Sequence, residues 1–314
     1  MNFLIALLVG LAAGTHVATW GMYKDAIHEG FTVRRYARSI VVGALAGLAV
    51  ERFVQFDLTR ASSIVVLFGL VYALERGIVE VWKTFLRDED QSKYFIPMQF
   101  AVGGRPVKSR GARLAAGAAY VAAVVAIVGG LWALDRTRPL PHWALLLVAG
   151  SAWGWVAAVG GAWKDAPKEG FELFKFFRSP IMTLGFALLL SLLTDSYFYI
   201  AIGALGYERA AVETYKTFFF PNKPRGKFAG MPITHPEMLT RRQRFIPLYA
   251  AIWAGVIAAY VMGVREPKIK QLRAATCDPS LRSGQALRPQ CARDVRSLPS
   301  ALRSQHAARS TQPS

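Results

Sequence analysis

Residues 24–39 read KDAIHEGFTVRRYARS, and residues 164–179 read KDAPKEGFELFKFFRS. Lys24-Asp25-Ala26, Glu29-Gly30-Phe31 and Arg38-Ser39 thus recur, 140 positions later, as Lys164-Asp165-Ala166, Glu169-Gly170-Phe171 and Arg178-Ser179. A second block, ERGIVEVWKTF at 75–85, returns as ERAAVETYKTF at 208–218, an offset of 133. The chain reads as a duplication. What its two copies share is mostly charged, and much of it lies inside or against long apolar stretches.

Those stretches decide the class. At 53% hydrophobic and 18% charged, the 314 residues are far more apolar than a soluble protein of this length. Apolar runs at 2–22, 39–56, 62–82, 113–134, 142–163, 180–194, 197–215 and 245–264 each approach the ~20 residues needed to cross a bilayer. The run at 180–194 is the shortest and needs Phe174 to Phe177 or a locally thin bilayer. The expected fold is all-α: a polytopic membrane bundle of about eight transmembrane helices built from two parallel four-helix repeats, 1–134 and 142–264, with a basic tail at 265–314. Residues 2–22 resemble a secretory signal in being apolar and ending in small residues. They lack an early Lys or Arg, however, and correspond to a run in mid-chain, so a retained membrane helix is expected.

Orientation follows from the basic residues, which stay on the cytoplasmic side of a membrane. Loops 23–38, 84–113, 164–178 and 218–244 hold 20 Lys or Arg, against three in loops 57–61, 135–141 and 195–196. The first four are therefore expected in the cytoplasm of a cell (inner) membrane protein, with both termini outside. Four spans per copy give both copies the same orientation, related by an axis along the membrane normal.

The net charge is +18, of which residues 265–314 supply +7. The rest is the asymmetry just described, suited to anionic lipid headgroups. Nucleic acid is not an expected partner, because no zinc spacing, recognition helix or RNA-binding motif accompanies the charge. Association of copies into a homo-oligomer is left open by the sequence. The tail is rich in Arg, Ser, Pro, Gln and Ala without apolar periodicity and is expected to be disordered. It carries both cysteines, Cys277 and Cys291, whose spacing supports no metal or catalytic role.

Three groups of repeated residues are candidates for a site. Arg76, Glu80 and Lys83 share one helix face, as do Arg209, Glu213 and Lys216; Glu75 and Glu208 lie about 100° round from it. Counting 1.5 Å per residue from Ser62 and Ser196, the two glutamates lie roughly 18–20 Å deep. Charge at that depth is costly, so these residues should face the bundle interior and find partners. One reading has Arg76 pair with Glu80 and Arg209 with Glu213 while the lysines snorkel. The other has Glu75, Arg76, Glu80, Glu208, Arg209 and Glu213 form a solute or ion site across the repeat axis.

Asp25 with Glu29, and Asp165 with Glu169, are each four apart, so that two carboxylate pairs are available to a divalent cation. A plainer account begins a short interfacial helix near Asp165 and Pro167 and ends it at Gly30 or Gly170. Lys83, Lys216, Arg38 and Arg178 are the candidate phosphate or headgroup ligands, although Ser39 and Ser179-Pro180 also read as helix starts. The aromatic and basic run from Phe218 to Phe228 suits either an interfacial anchor or a phosphate-binding loop.

No nucleotide phosphate loop, zinc-peptidase or serine-hydrolase signature occurs. The five histidines do not recur between the copies. The expected function is a transporter or channel-like protein for a small polar or ionic solute. The alternatives are a membrane enzyme acting on a phosphorylated lipid or headgroup at the cytoplasmic face, with the acids holding a divalent cation, and a structural subunit of a membrane complex.

Overall fold

The computed structural model describes residues 1–220 and 226–269. All eight apolar runs are helical: α1 (Asn2–Glu29), α2 (Val33–Val54), α3 (Ala61–Val81), α4 (Arg110–Thr137), α5 (His142–Glu169), α6 (Leu173–Leu190), α7 (Tyr197–Thr214), the single turn α8 (Met238–Arg241) and α9 (Ile246–Gly263). The strands among the described residues are a two-residue hairpin, Ala101–Val102 with Arg105–Pro106. Five helical stretches are long and apolar enough to cross a membrane, namely α1, α4, α5, α6 and Met238–Gly263. The chain is an all-α integral membrane protein. The other three helices, α2, α3 and α7, carry more of the ionisable residues, and α3 and α7 lie deepest, with most of their side chains enclosed.

Small residues set how closely the helices approach. On α1, Gly10 and Gly14 face α2, where a Cβ on Gly10 would lie 2.5 Å from the Gly43 carbonyl oxygen and one on Gly47 2.5 Å from that of Ala6. In the second half, Gly150 and Gly154 of α5 face Ala187, Thr183 and Pro180 of α6. The offset is again 140, a part of the duplication that lies in apolar sequence. Backbone approach of this kind is how membrane helices gain packing where lipid provides no hydrophobic drive. At the centre, α3 crosses α7 through Gly69, Gly203 and Gly206, and the Tyr207 hydroxyl donates to the Val65 carbonyl at 2.8 Å. Of the other glycines expected to permit close approach, Gly117 packs on Phe85, whereas Gly111 is open.

Several boundaries differ from expectation. α1 and α5 run unbroken to Glu29 and Glu169, so the acids sit in last turns rather than starting interfacial helices. Gly30 and Gly170 do end them, at φ 70° and 83°, where the missing Cβ removes the penalty. Nor are Ser39 and Ser179 helix caps: α2 starts at Val33 and α6 at Leu173, and both serines are buried inside them. The cause is that helical hydrogen bonding continues through charged residues after hydropathy has fallen, so the apolar run understates the helix.

The two ends of the bundle differ in chemistry. At one, acids cap helix starts. Glu266 accepts from the Ala61 and Ser62 amides at 2.9 and 3.0 Å, and Asp135 accepts from the Tyr197 amide at 2.9 Å and the Ser196 hydroxyl at 2.7 Å. These carboxylates meet the unsatisfied amides and positive dipole ends of α3 and α7. The caps are crossed, since the segment after α9 serves α3 and the end of α4 serves α7. Residues 265–269 thus belong to the fold, with Ile269 donating its amide to the Leu193 carbonyl at 2.8 Å. The remainder of the tail, with Cys277 and Cys291, lies outside the described residues. At the other end the four basic connections come together.

Candidate functional site

That basic end is held by contacts among all four connections. The Thr234 and His235 amides both donate to the Ile27 carbonyl at 3.0 Å, the Phe95 amide to the Lys227 carbonyl at 2.8 Å, and the Trp163 indole to the Ala101 carbonyl at 2.9 Å. They surround a cavity of about 240 Å3 between the last turns of α1, α3, α5 and α7 and the first turns of α2. Nine Lys or Arg and five Asp or Glu line it, so the wall carries an excess of positive charge among the described residues.

Of the residues singled out in the sequence, Asp25, Glu29, Arg38, Arg76, Glu80, Lys83, Asp165, Glu213 and Lys216 line the cavity. Glu75, Glu208, Arg209, Arg178 and Glu169 do not. Glu75 is fully buried 4.0 Å from Arg76, with Ser39 beside it. Glu208 is equally buried, its Oε2 2.7 Å from Arg209 Nε but outside hydrogen-bonding geometry. Each glutamate is thus accompanied by the next residue in sequence, off the cavity wall.

The ion pairs follow only half of the expected pattern. Arg76 does pair with Glu80, and its guanidinium also lies over the Trp20 ring, 5.2 Å from the centroid. Arg209 does not pair with Glu213, because it turns to Glu208. Glu213 instead meets Lys24 of α1 at 3.8 Å. The two stripes, alike in sequence, therefore hold different partners.

The four repeated carboxylates form two separate clasps. Lys227 lies 2.8 Å from Asp25 and 3.5 Å from Glu29, while Lys175 lies 3.1 Å from Asp165 and 2.6 Å from Glu169. Among the described residues no three His, Cys, Asp or Glu converge as a metal-holding group. Lys227 comes from the aromatic and basic run, and the adjoining Phe228 ring stacks on His28 at 4.4 Å. That run closes over the end of α1; its residues 221–225 lie outside the described residues.

The cations fall into two kinds. Lys24, Arg35, Arg76, Arg87 and Lys227 each have a carboxylate within 4.0 Å. Arg38, Lys83, Lys164 and Lys216 have none among the described residues. Arg38 packs over the Trp82 ring at 5.0 Å, and the ammonium of Lys164 reaches the Met98 sulfur at 3.6 Å. Half-buried cations without a counter-charge are costly, so a wall that collects four of them is built for an anion.

Lys164 was missed in the sequence although it opens the second copy of the repeated block, as Lys24 opens the first. Its retention at the same place was the available signal. Tyr94, Arg87 and Glu89 at the rim carried no signal, being unduplicated. Glu89 accepts from the Tyr94 hydroxyl at 3.1 Å and lies 2.6 Å from Arg87 and beside Lys93. Burial pushes its carboxyl up, but the Lys93 hydrogen bond and the Arg87 charge outweigh this and hold it below the usual range.

Beside the cavity, across the seam where Lys24 meets Glu213, runs an apolar groove lined by Tyr23, Thr214, Phe218, Tyr249, Trp253 and Ile257. Its polar atoms are satisfied within the wall: the Thr214 hydroxyl lies 2.6 Å from that of Tyr249 and accepts from the Trp253 indole at 3.1 Å. No protein family, curated protein or solved structure compared with the chain matches it.

Proposed function

We propose that this is a multi-pass membrane protein of eight spans, arranged as two parallel repeats, that binds a small phosphate-type anion in the cavity at its cytoplasmic end as the binding step of solute transport. The observation that carries this reading is the set of four cations without a carboxylate, Arg38, Lys83, Lys164 and Lys216, on one cavity wall. Lysine offers phosphate a point charge and arginine a planar fork, and together they attract an anion and fix its position. The cavity lies where α1, α3, α5 and α7 meet, which is where repeat-built transporters place their sites. Beyond it, the Gly69–Gly206 crossing of α3 and α7 closes the bundle toward the opposite end. A transport cycle would have to open that crossing.

A second reading is favoured by the apolar groove. A phosphorylated lipid whose headgroup enters the cavity could lay its chain there, as a headgroup enzyme requires. Full-length protein in vesicles separates the two. Transport predicts uptake of labelled inorganic phosphate that is lost in Lys83→Gln and Lys216→Gln. The enzyme reading predicts no uptake, and conversion of a phosphorylated lipid that the same variants abolish. If the parent protein neither binds nor moves any phosphate compound, the anion-site reading is wrong.

A further inference from the structure

The free lysines are arranged in a way that says more about the ligand. Glu80 stands in the field of Lys83, three residues on along its own helix, and of Lys164 from α5. Glu213 stands in the field of Lys216, again three residues on, and of Lys24 from α1. In sequence Lys164 is the repeat of Lys24, and Glu213 and Lys216 are the repeats of Glu80 and Lys83. Each glutamate is therefore served by the lysine of its own helix and by the first-helix lysine of the other copy. The result is two clusters of the same composition, crossed between the halves of the chain, on the wall of one cavity.

Resting on the anion-site reading above, we propose that these clusters are two quasi-equivalent anion subsites and that the ligand is a diphosphate, free or esterified to a lipid, with one phosphate in each. A cavity of about 240 Å3 falls below the roughly 300–1,000 Å3 of a drug-sized pocket, so both subsites lie within reach of one compact ligand. Neither cluster is saturated from within: Lys83, Lys164 and Lys216 have no carboxylate within 4.0 Å among the described residues, and Lys24 meets Glu213 only at 3.8 Å. A single phosphate would leave one cluster unmatched. A diphosphate engages both and gains the effective concentration of a tethered second group.

The test is equilibrium binding of inorganic phosphate and inorganic pyrophosphate to the full-length protein in lipid nanodiscs. Two phosphates per chain but one pyrophosphate are expected, with pyrophosphate bound at least about tenfold more tightly because its two groups are linked. Lys83→Gln and Lys216→Gln should each cut the phosphate stoichiometry to one and remove the pyrophosphate advantage. Lys83→Arg, which keeps the charge, should retain both and so excludes misfolding as the cause. A hexadecyl diphosphate that displaces pyrophosphate better than it does in Trp253→Ala assigns a lipid source, and equal displacement assigns a free one. One phosphate per chain with no pyrophosphate advantage would overturn the two-subsite proposal while leaving the anion site standing. No binding of either probe would remove both.

Discussion

Lys24 of α1 lies 3.8 Å from Glu213 of α7, and in sequence the two belong to different copies of the repeated blocks. The contact is the polar seam between the cavity and the apolar groove, with the Tyr23 and Phe218 rings, 4.7 Å apart, on its groove side. Both side chains are mostly enclosed, at 22% and 15% exposure. Removing one partner of an enclosed pair leaves the other uncompensated, a loss of 3–5 kcal/mol when burial is complete and less here. Lys24→Gln and Glu213→Gln should each lower the melting temperature, by an amount equivalent to about 1–2 kcal/mol. The double variant should be more stable than the sum of the two losses implies. In phosphate titrations Glu213→Gln should bind more tightly and Lys24→Gln more weakly. A shift of the same sign in both would show that the pair does not tune the cavity.

Glu75 and Glu208 offer a contrast, being fully buried but off the cavity wall. Replacing either with Gln removes a charge whose enclosure within a membrane is unfavourable. Stability should hold or rise, and phosphate affinity should stay within about twofold of the parent, since neither carboxylate faces the anion. Loss of anion binding in Glu75→Gln or Glu208→Gln, with Lys83→Gln unaffected, would relocate the site to the glutamates.

At the α3–α7 crossing a Cβ on Gly206 would lie inside van der Waals contact of the Gly69 carbonyl oxygen. Backbone cannot yield as a flexible side chain can, so Gly206→Ala should destabilise the protein by roughly 1–3 kcal/mol. Gly185 on α6 has nothing within 4 Å of its Cβ position, and Gly185→Ala should be neutral or gain up to about 1 kcal/mol from helix propensity. Thermal unfolding of the two variants side by side checks both directions.

The orientation is open to chemical labelling. Ser92, Thr234 and Thr137 are all exposed. With Cys277 and Cys291 replaced by serine, a cysteine at Ser92 or Thr234 should react with an impermeant reagent only from the cytoplasm, and one at Thr137 only from outside. The reverse pattern would invert the topology.

Acid should loosen the rim of the cavity. The carboxyl of Glu89 is held below its ordinary value, so the folded state binds its proton less readily than the unfolded state does. The contribution of Glu89 to stability is then complete above the unfolded value, about 4.3, and is lost as pH falls through the lower folded value. Glu89→Gln should be less stable than the parent at neutral pH, and the two should converge below pH 4. Parallel melting curves from pH 7 to pH 3 would exclude this role.

Much of the architecture is legible in local chemistry alone. Eight apolar runs gave eight helices because hydropathy, helix formation and the demand for internal backbone hydrogen bonding all act within a segment. Gly30 and Gly170 ended their helices as expected, since a positive φ is a property of one residue. The repeated charges drew attention to the right end of the bundle, and Arg38, Lys83 and Lys216 do line its cavity. Periodicity could not choose their partners. Arg76 and Arg209 occupy equivalent places, yet one turns to Glu80 and the other to Glu208. The choice depends on Lys24 arriving from another helix, and an ion pair between helices is set by which backbones can approach. Glycine-to-glycine crossings decide that, along with the two carboxylates that cap helices across the chain. From the sequence came the elements and the inventory of charge. Only the tertiary structure separated the carboxylates that are already neutralised from the lysines that are not, because counter-charge is a matter of distance between segments that sequence order leaves free.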